Sequence, residues 1–124
     1  MNIVQDKILV MSQGSNAELI RSSIRHLSGI EIIEAASENK AFELIYNHTL
    51  VLVVIDETMH HMDSYKIGSM LMSHKKIHNA PLLILCEKIR DDNFLNDFDA
   101  LQIDHLLLPF TPAQFIAKIN IFIE

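Results

Sequence analysis

The sequence predicts an α/β fold: a doubly wound parallel sheet covered by helices on both faces. Three observations carry this. Five short apolar runs, each about as long as a strand, recur at residues 8–11, 30–33, 50–55, 82–86 and 106–108. Stretches with helical periodicity fill the intervals between them. Two of the runs, Val53-Val54-Ile55 and Leu82-Leu83-Ile84-Leu85, are continuous rather than alternating, as strands buried on both faces are. Five strands alternating with five helices argue for a parallel sheet with crossover helices on either side.

The first run is followed by Ser15-Asn16-Ala17-Glu18, the S-x-x-E form of a capping box, so Ser15 is expected to open a helix. Ala17, Ile20, Ile24 and Leu27 then share one face, and Gly29 is expected to end it. After the second run Ser37 is the N-cap, with Ala41, Leu44, Ile45 and His48 on the inner side. After the third, Asp63 or Ser64 starts a helix whose inner side is Ile67, Met70, Leu71 and His74. Asp91-Asp92 leads the fourth helix, where acids in a first turn suit the macrodipole, and Phe94, Leu95, Phe98 and Leu101 follow. Thr111-Pro112-Ala113-Gln114 reads as N-cap, proline at the first helical position and glutamine at N3. Phe115, Ile116, Ile119, Phe122 and Ile123 form the stripe of this last helix. Ile121 and Phe122 cannot both point inward, so apolar exposure and a partner or homodimer contact are expected there.

Composition narrows the function. The 124 residues fit one domain of the typical ~100–150, so 1–124 are expected to form a single unit with its own core. Apolar residues at 49% and charged residues at 21% describe a globular chain, not a disordered one. Ten basic against 16 acidic residues leave a net charge of −6, and no stretch gathers more than the two adjacent bases Lys75-Lys76. A nucleic-acid partner is not expected. One cysteine, Cys86, excludes an internal disulfide. The opening MNIVQDKILVM has no basic leader or long apolar core, so no secretory signal is expected. No apolar run approaches the ~20 residues of a spanning helix. The expectation is a cytoplasmic domain without membrane contact.

In sheets of this kind ligands sit beyond the carboxyl ends of the strands, where strand order reverses. The residues there are Ser12-Gln13, Asp56, Cys86 and Leu108-Pro109. With the stretches LVLVVIDETMHHMDSY (50–65) and IDHLLLPFTPAQF (103–115), this order resembles the receiver domain of two-component response regulators over essentially the whole chain. The first stretch is similar to the receiver's strand, phosphorylatable aspartate and Met-x-x-Met-Asp loop. The second is similar to its last strand, Pro-Phe turn and last helix. The resemblance implies a flavodoxin-like sheet of order 2-1-3-4-5 and makes Asp56 the candidate phosphoacceptor. It also implies an acidic pair holding Mg²⁺, a Thr or Ser after the fourth strand and a Lys after the fifth.

Those partners are replaced. The acidic pair aligns with Ser12 and Gln13, the Thr/Ser with Cys86, the Lys with Leu108 and the aromatic switch with His105. His60 stands where receivers usually have Pro, and Ser64 where they have Gly; Thr58 lies two residues after Asp56 in the same altered site. Only Asp56, Asp63 and Pro109 keep the expected type. Phosphoryl transfer is mainly positioning and charge stabilisation, and Mg²⁺ favours carboxylate oxygens. Each lost charge-assisted hydrogen bond is worth roughly 1.5–3 kcal/mol, so the changes amount to about two or more decades in affinity or rate. The expectation is a degenerate receiver, or pseudo-receiver. It would signal by protein contact, with a histidine kinase or other protein partner, no enzymatic activity, and no cofactor unless a phosphorylated Asp56 recruits Mg²⁺. The rival is a phosphoaccepting receiver with atypical ligands. A rival of another class is a small-ligand or anion site on the loop 12–16, which has one glycine and precedes a helix N-terminus. No output domain is expected within these residues.

Other features have ordinary explanations. Glu57 adjoins Asp56 but, by strand alternation, points away from it. Cys86 reads as a small buried strand-end residue. Met59-His60-His61-Met62 has soft-metal ligand types, and His74 and His78 are spaced i, i+4. A variable loop and a helix end before Pro81 account for both, and no metal site is expected.

Overall fold

Along the chain run β1 (Asp6–Met11), α1 (Gly14–Ile24), β2 (Ile30–Glu34), α2 (Glu38–Asn47), β3 (Leu52–Asp56), α3 (Ser64–Ser73), β4 (Leu82–Cys86), β5 (Ile103–Leu107) and α4 (Pro112–Ile123). This is a computed structural model, and it describes residues 6–25, 27–59, 63–73, 80–89 and 103–123. The strands form one sheet in the order β2-β1-β3-β4-β5. Every pairing is parallel, with Val10 opposite Val54, Ile55 opposite Ile84 and Leu83 opposite Asp104. The helix expected from Asp91 and Asp92 through Phe94, Leu95, Phe98 and Leu101 lies outside the described residues, as do His60, His61, Met62, His74 and His78, together with the side chains of Met70 and Leu71.

Alternation along the strands divides the core into two apolar layers. Leu9, Met11, Val53, Ile55, Leu82, Ile84 and Cys86 face one way and meet Ala41, Leu44 and Ile45 of α2 and Ile67 of α3. Ile8, Val10, Leu52, Val54, Leu83, Leu85 and Leu106 face the other way, against Ile20 and Ile24 of α1 and Phe115 and Ile119 of α4. All five residues of β3 and of β4 are buried, which is why their runs do not alternate. The edge strand β5 is half-buried and starts earlier than the sequence suggests, at Ile103. Its polar Asp104 is tolerated there because Lys118 of α4 reaches it at 2.8 Å.

Helix starts show local chemistry at work. Ser37 caps α2, its Oγ accepting the Lys40 N–H at 3.2 Å. Ser37→Ala is expected to lower stability by about 1 kcal/mol in urea denaturation. At α4 the capping box is complete: Thr111 Oγ1 accepts the Gln114 N–H at 3.2 Å, and Gln114 Oε1 accepts the Thr111 N–H at 2.9 Å. At α3 the start falls to Asp63, whose Oδ1 accepts the Lys66 N–H.

The expected start at Ser15 is corrected. Helix α1 begins at Gly14, with Gln13 as N-cap and no side-chain capping bond. Gly14 takes φ +65°, a left-handed conformation that side chains disfavour, at the turn that leads from β1 into the helix. The helix also stops at Ile24, short of Gly29. On α4, Ile121 is 68% exposed, whereas Phe122 is half-buried against the sheet layer.

Candidate functional site

Asp56 ends β3 at the carboxyl edge of the sheet. Strands β1 and β3 are neighbours, with Met11 opposite Ile55, so the residues that follow each of them come together. The carboxylate is 1% exposed. Burying a charge demands compensation, and among the described residues hydrogen bonds supply it. Ser12 Oγ donates to Asp56 Oδ2 at 2.9 Å, and Asn16 Nδ2 donates to the same oxygen at 3.0 Å. The Thr58 backbone N–H and Thr58 Oγ1 donate to Oδ1 at 2.9 and 2.6 Å. Among the described residues every donor to Asp56 is neutral, and each oxygen receives two bonds.

Local folding explains the convergence. Ser12 directly follows β1 and is itself buried. Asn16 is the third residue of α1, on the turn that faces the sheet end. The Asn16 side chain of this first turn serves Asp56, and no side chain caps the helix. Thr58 lies in a tight turn in which the Met59 N–H donates to the Asp56 carbonyl at 3.1 Å. The Glu57 N–H donates to the Leu85 carbonyl at 2.9 Å, which joins that turn to β4.

The other positions singled out from the sequence do not reach the carboxylate through any described hydrogen bond. Gln13 is exposed at the N-cap of α1. Cys86 is buried in the layer that holds Leu82 and Ile84. Leu108 is half-buried and packs into the opposite layer, its N–H donating to the Cys86 carbonyl at 2.9 Å. The Leu108-Pro109 peptide is cis. His105 sits mid-strand on β5, opposite Ile84. Glu57, read from alternation as pointing away, accepts a hydrogen bond from the buried Ser64 Oγ at the start of α3.

This donor set does not fit Mg²⁺. The ion takes oxygen ligands and usually one or two carboxylates. Among the described residues Asp56 is the one carboxylate joined by these bonds, and both of its oxygens already receive N–H and O–H groups. Among the described residues no three His, Cys, Asp or Glu side chains are grouped to hold a metal. Asn16 is the member that the sequence reading missed. Its spacing from the first strand end was legible; that a helix-interior amide would turn toward Asp56 was not.

No family model matches the chain. The transcriptional regulatory protein SrrA of Staphylococcus aureus is 20% identical over 117 residues, covering 94% of this chain and 47% of SrrA. The chain therefore spans about half the length of the curated relatives it matches. Among solved structures, the Vibrio cholerae chemotaxis protein CheY4 superposes with a TM-score of 0.81 at 14% identity, covering 96% of this chain and 99% of that one. The receiver domain of the Francisella response regulator 1452 is 25% identical, with a TM-score of 0.74 and coverage of 95% and 96%. The receiver domain of the Pseudomonas aeruginosa sensor histidine kinase PA1611, solved with a magnesium ion in its active-site cleft, is 18% identical, with a TM-score of 0.77 and coverage of 95% and 97%. The sheet order and element sequence described above are those of the flavodoxin-like receiver fold.

Proposed function

We propose that this receiver-fold domain is a single signalling module of a two-component pathway that works by protein–protein contact, without a phosphoryl group on Asp56. The observation that carries the reading is the state of Asp56 itself. An acceptor aspartate needs one oxygen to attack phosphorus and cations to balance the charge that arrives, about −1.5 to −2. Here both oxygens are held by neutral donors, and the position that would supply a lysine is Leu108, packed among apolar side chains. Cys86, a weak donor, replaces the hydroxyl, and the half-buried His105 replaces the aromatic switch.

On this reading the domain is a binding module rather than an enzyme, acts in the cytoplasm, and takes a protein partner such as a histidine kinase or a second copy through the last helix. No described helix is long and apolar enough to cross a membrane.

An amide NMR titration tests it, first with Mg²⁺ alone and then with Mg²⁺ and beryllofluoride, a phosphoryl mimic. The expected result is an unchanged spectrum at millimolar Mg²⁺ with or without the mimic. Shifts centred on Asp56, Cys86 and Leu108, absent from Asp56→Asn, would instead establish a phosphoaccepting receiver with atypical ligands.

A further inference from the structure

We propose that Asp56 serves this chain as a hydrogen-bond clamp, with neutral donors standing where cations would otherwise balance its charge. The proposal deepens the reading above and rests on it in one respect: no phosphoryl group has to reach the carboxylate. The clamp gathers three segments. Ser12 follows β1, Asn16 lies in the first turn of α1, and Thr58 lies in the turn after β3. The carboxylate therefore ties the β1–α1 turn to the β3–α3 turn, two neighbouring loops at the carboxyl end of the sheet. Partner contact at that end would meet one preset surface.

The chemistry fixes the sign of the effect. A carboxylate offers acceptors only, whereas an amide turns one of its two oxygens into a donor. In Asp56→Asn every bond to the residue loses its charge assistance, and the NH₂ meets either the Thr58 backbone N–H, which cannot accept, or Ser12 and Asn16, whose hydroxyl must rotate and whose amide must flip to accept. In a cluster of carboxylates the same substitution would relieve repulsion and stabilise the fold. Here the positions that would carry those neighbours are Ser12 and Gln13, both uncharged. Asp56→Asn is thus destabilising in this chain.

The test is urea denaturation of the wild type, Asp56→Asn, Ser12→Ala, Thr58→Val and the double variant Ser12→Ala/Asp56→Asn. Amide hydrogen exchange is read on the variants that fold. Asp56→Asn is expected to lower the folded-to-unfolded ratio about a hundredfold, ~2.7 kcal/mol at 1.36 kcal/mol per decade. Ser12→Ala and Thr58→Val are expected to lower it about tenfold each, and Ser12→Ala to add little once Asp56 is changed, as coupled partners do. Exchange should quicken at Thr58 and at the first hydrogen-bonded amides of α1, residues 17–20, while the rest of the sheet keeps its protection. An Asp56→Asn protein as stable as the wild type, or a Ser12→Ala effect fully additive with it, overturns the clamp. Should Asp56→Asn not fold, unchanged stability and exchange in both Ser12→Ala and Thr58→Val overturn it instead. Binding of beryllofluoride would sink the phosphorylation-independent reading and leave these denaturation results standing, so the two failures are distinguishable.

Discussion

Ser12→Asp is expected to make the stability of this domain depend on magnesium. The change deletes a hydroxyl donor 2.9 Å from Asp56 Oδ2 and puts a second carboxylate in its place. Leaving a buried acceptor short of its donor costs about 1–3 kcal/mol. Two carboxylates ~4 Å apart repel by about 4 kcal/mol at an effective dielectric constant near 20, a figure that proton uptake or side-chain movement reduces. A net loss of several kcal/mol is a large share of the ~5–15 kcal/mol that holds a typical domain together. The pair would, however, offer Mg²⁺ the carboxylate oxygens that the wild-type site withholds. Binding to the folded state alone then restores about 2.7 kcal/mol at a hundred times the dissociation constant. Urea denaturation with and without millimolar Mg²⁺ reads both effects. A Ser12→Asp protein that is stable in chelator, or that Mg²⁺ does not rescue, would show that this side chain does not face Asp56.

Phe115→Ala should cost about 3–5 kcal/mol, the usual range for deleting a buried aromatic ring. Phe115 is fully buried where α4 meets the sheet, and its ring centroid lies 5.6 Å from that of Phe110. Helix α4 also packs on α1, the helix that carries Asn16. Losing the ring therefore loosens the support of the Asp56 network as well as the core. Ile121→Ala, further along the same helix, is the internal contrast. It is exposed, so its removal should fall within about 0.5 kcal/mol. Thermal and urea unfolding of the pair decide the matter, and equal losses in both would contradict the orientation of α4.

Much of this fold is written in one-dimensional periodicity. The continuous runs at 53–55 and 82–85 announce strands covered on both sides, and the structure buries them completely. Ser37 and the Thr111–Gln114 pair are helix starts whose partners lie within three residues, and such short-range chemistry survives translation into structure. The misplaced start at Ser15 has the opposite cause. Its pattern is local, but the turn answers to Asp56, 40 residues from Asn16 in sequence. The early start of β5 is likewise a tertiary matter, because Ile103 and Asp104 become strand residues only beside β4 and Lys118.

The same division runs through the site. By itself the sequence determined that Asp56 would end a buried strand and that Ser12 would follow the first one, since residue type and strand spacing suffice for that and a parallel βα sheet brings its carboxyl ends to one edge. That Ser12, Gln13, Cys86 and Leu108 align with a receiver's acids, hydroxyl and lysine is what the resemblance implies. Only the tertiary structure decided what those neutral residues do. Ser12 and Thr58 turn to the carboxylate, Asn16 joins them from α1, and Cys86 and Leu108 withdraw into the apolar layers. The reason is physical: a buried charge takes the nearest donors whatever their place in sequence, and which donors are nearest is a property of packing.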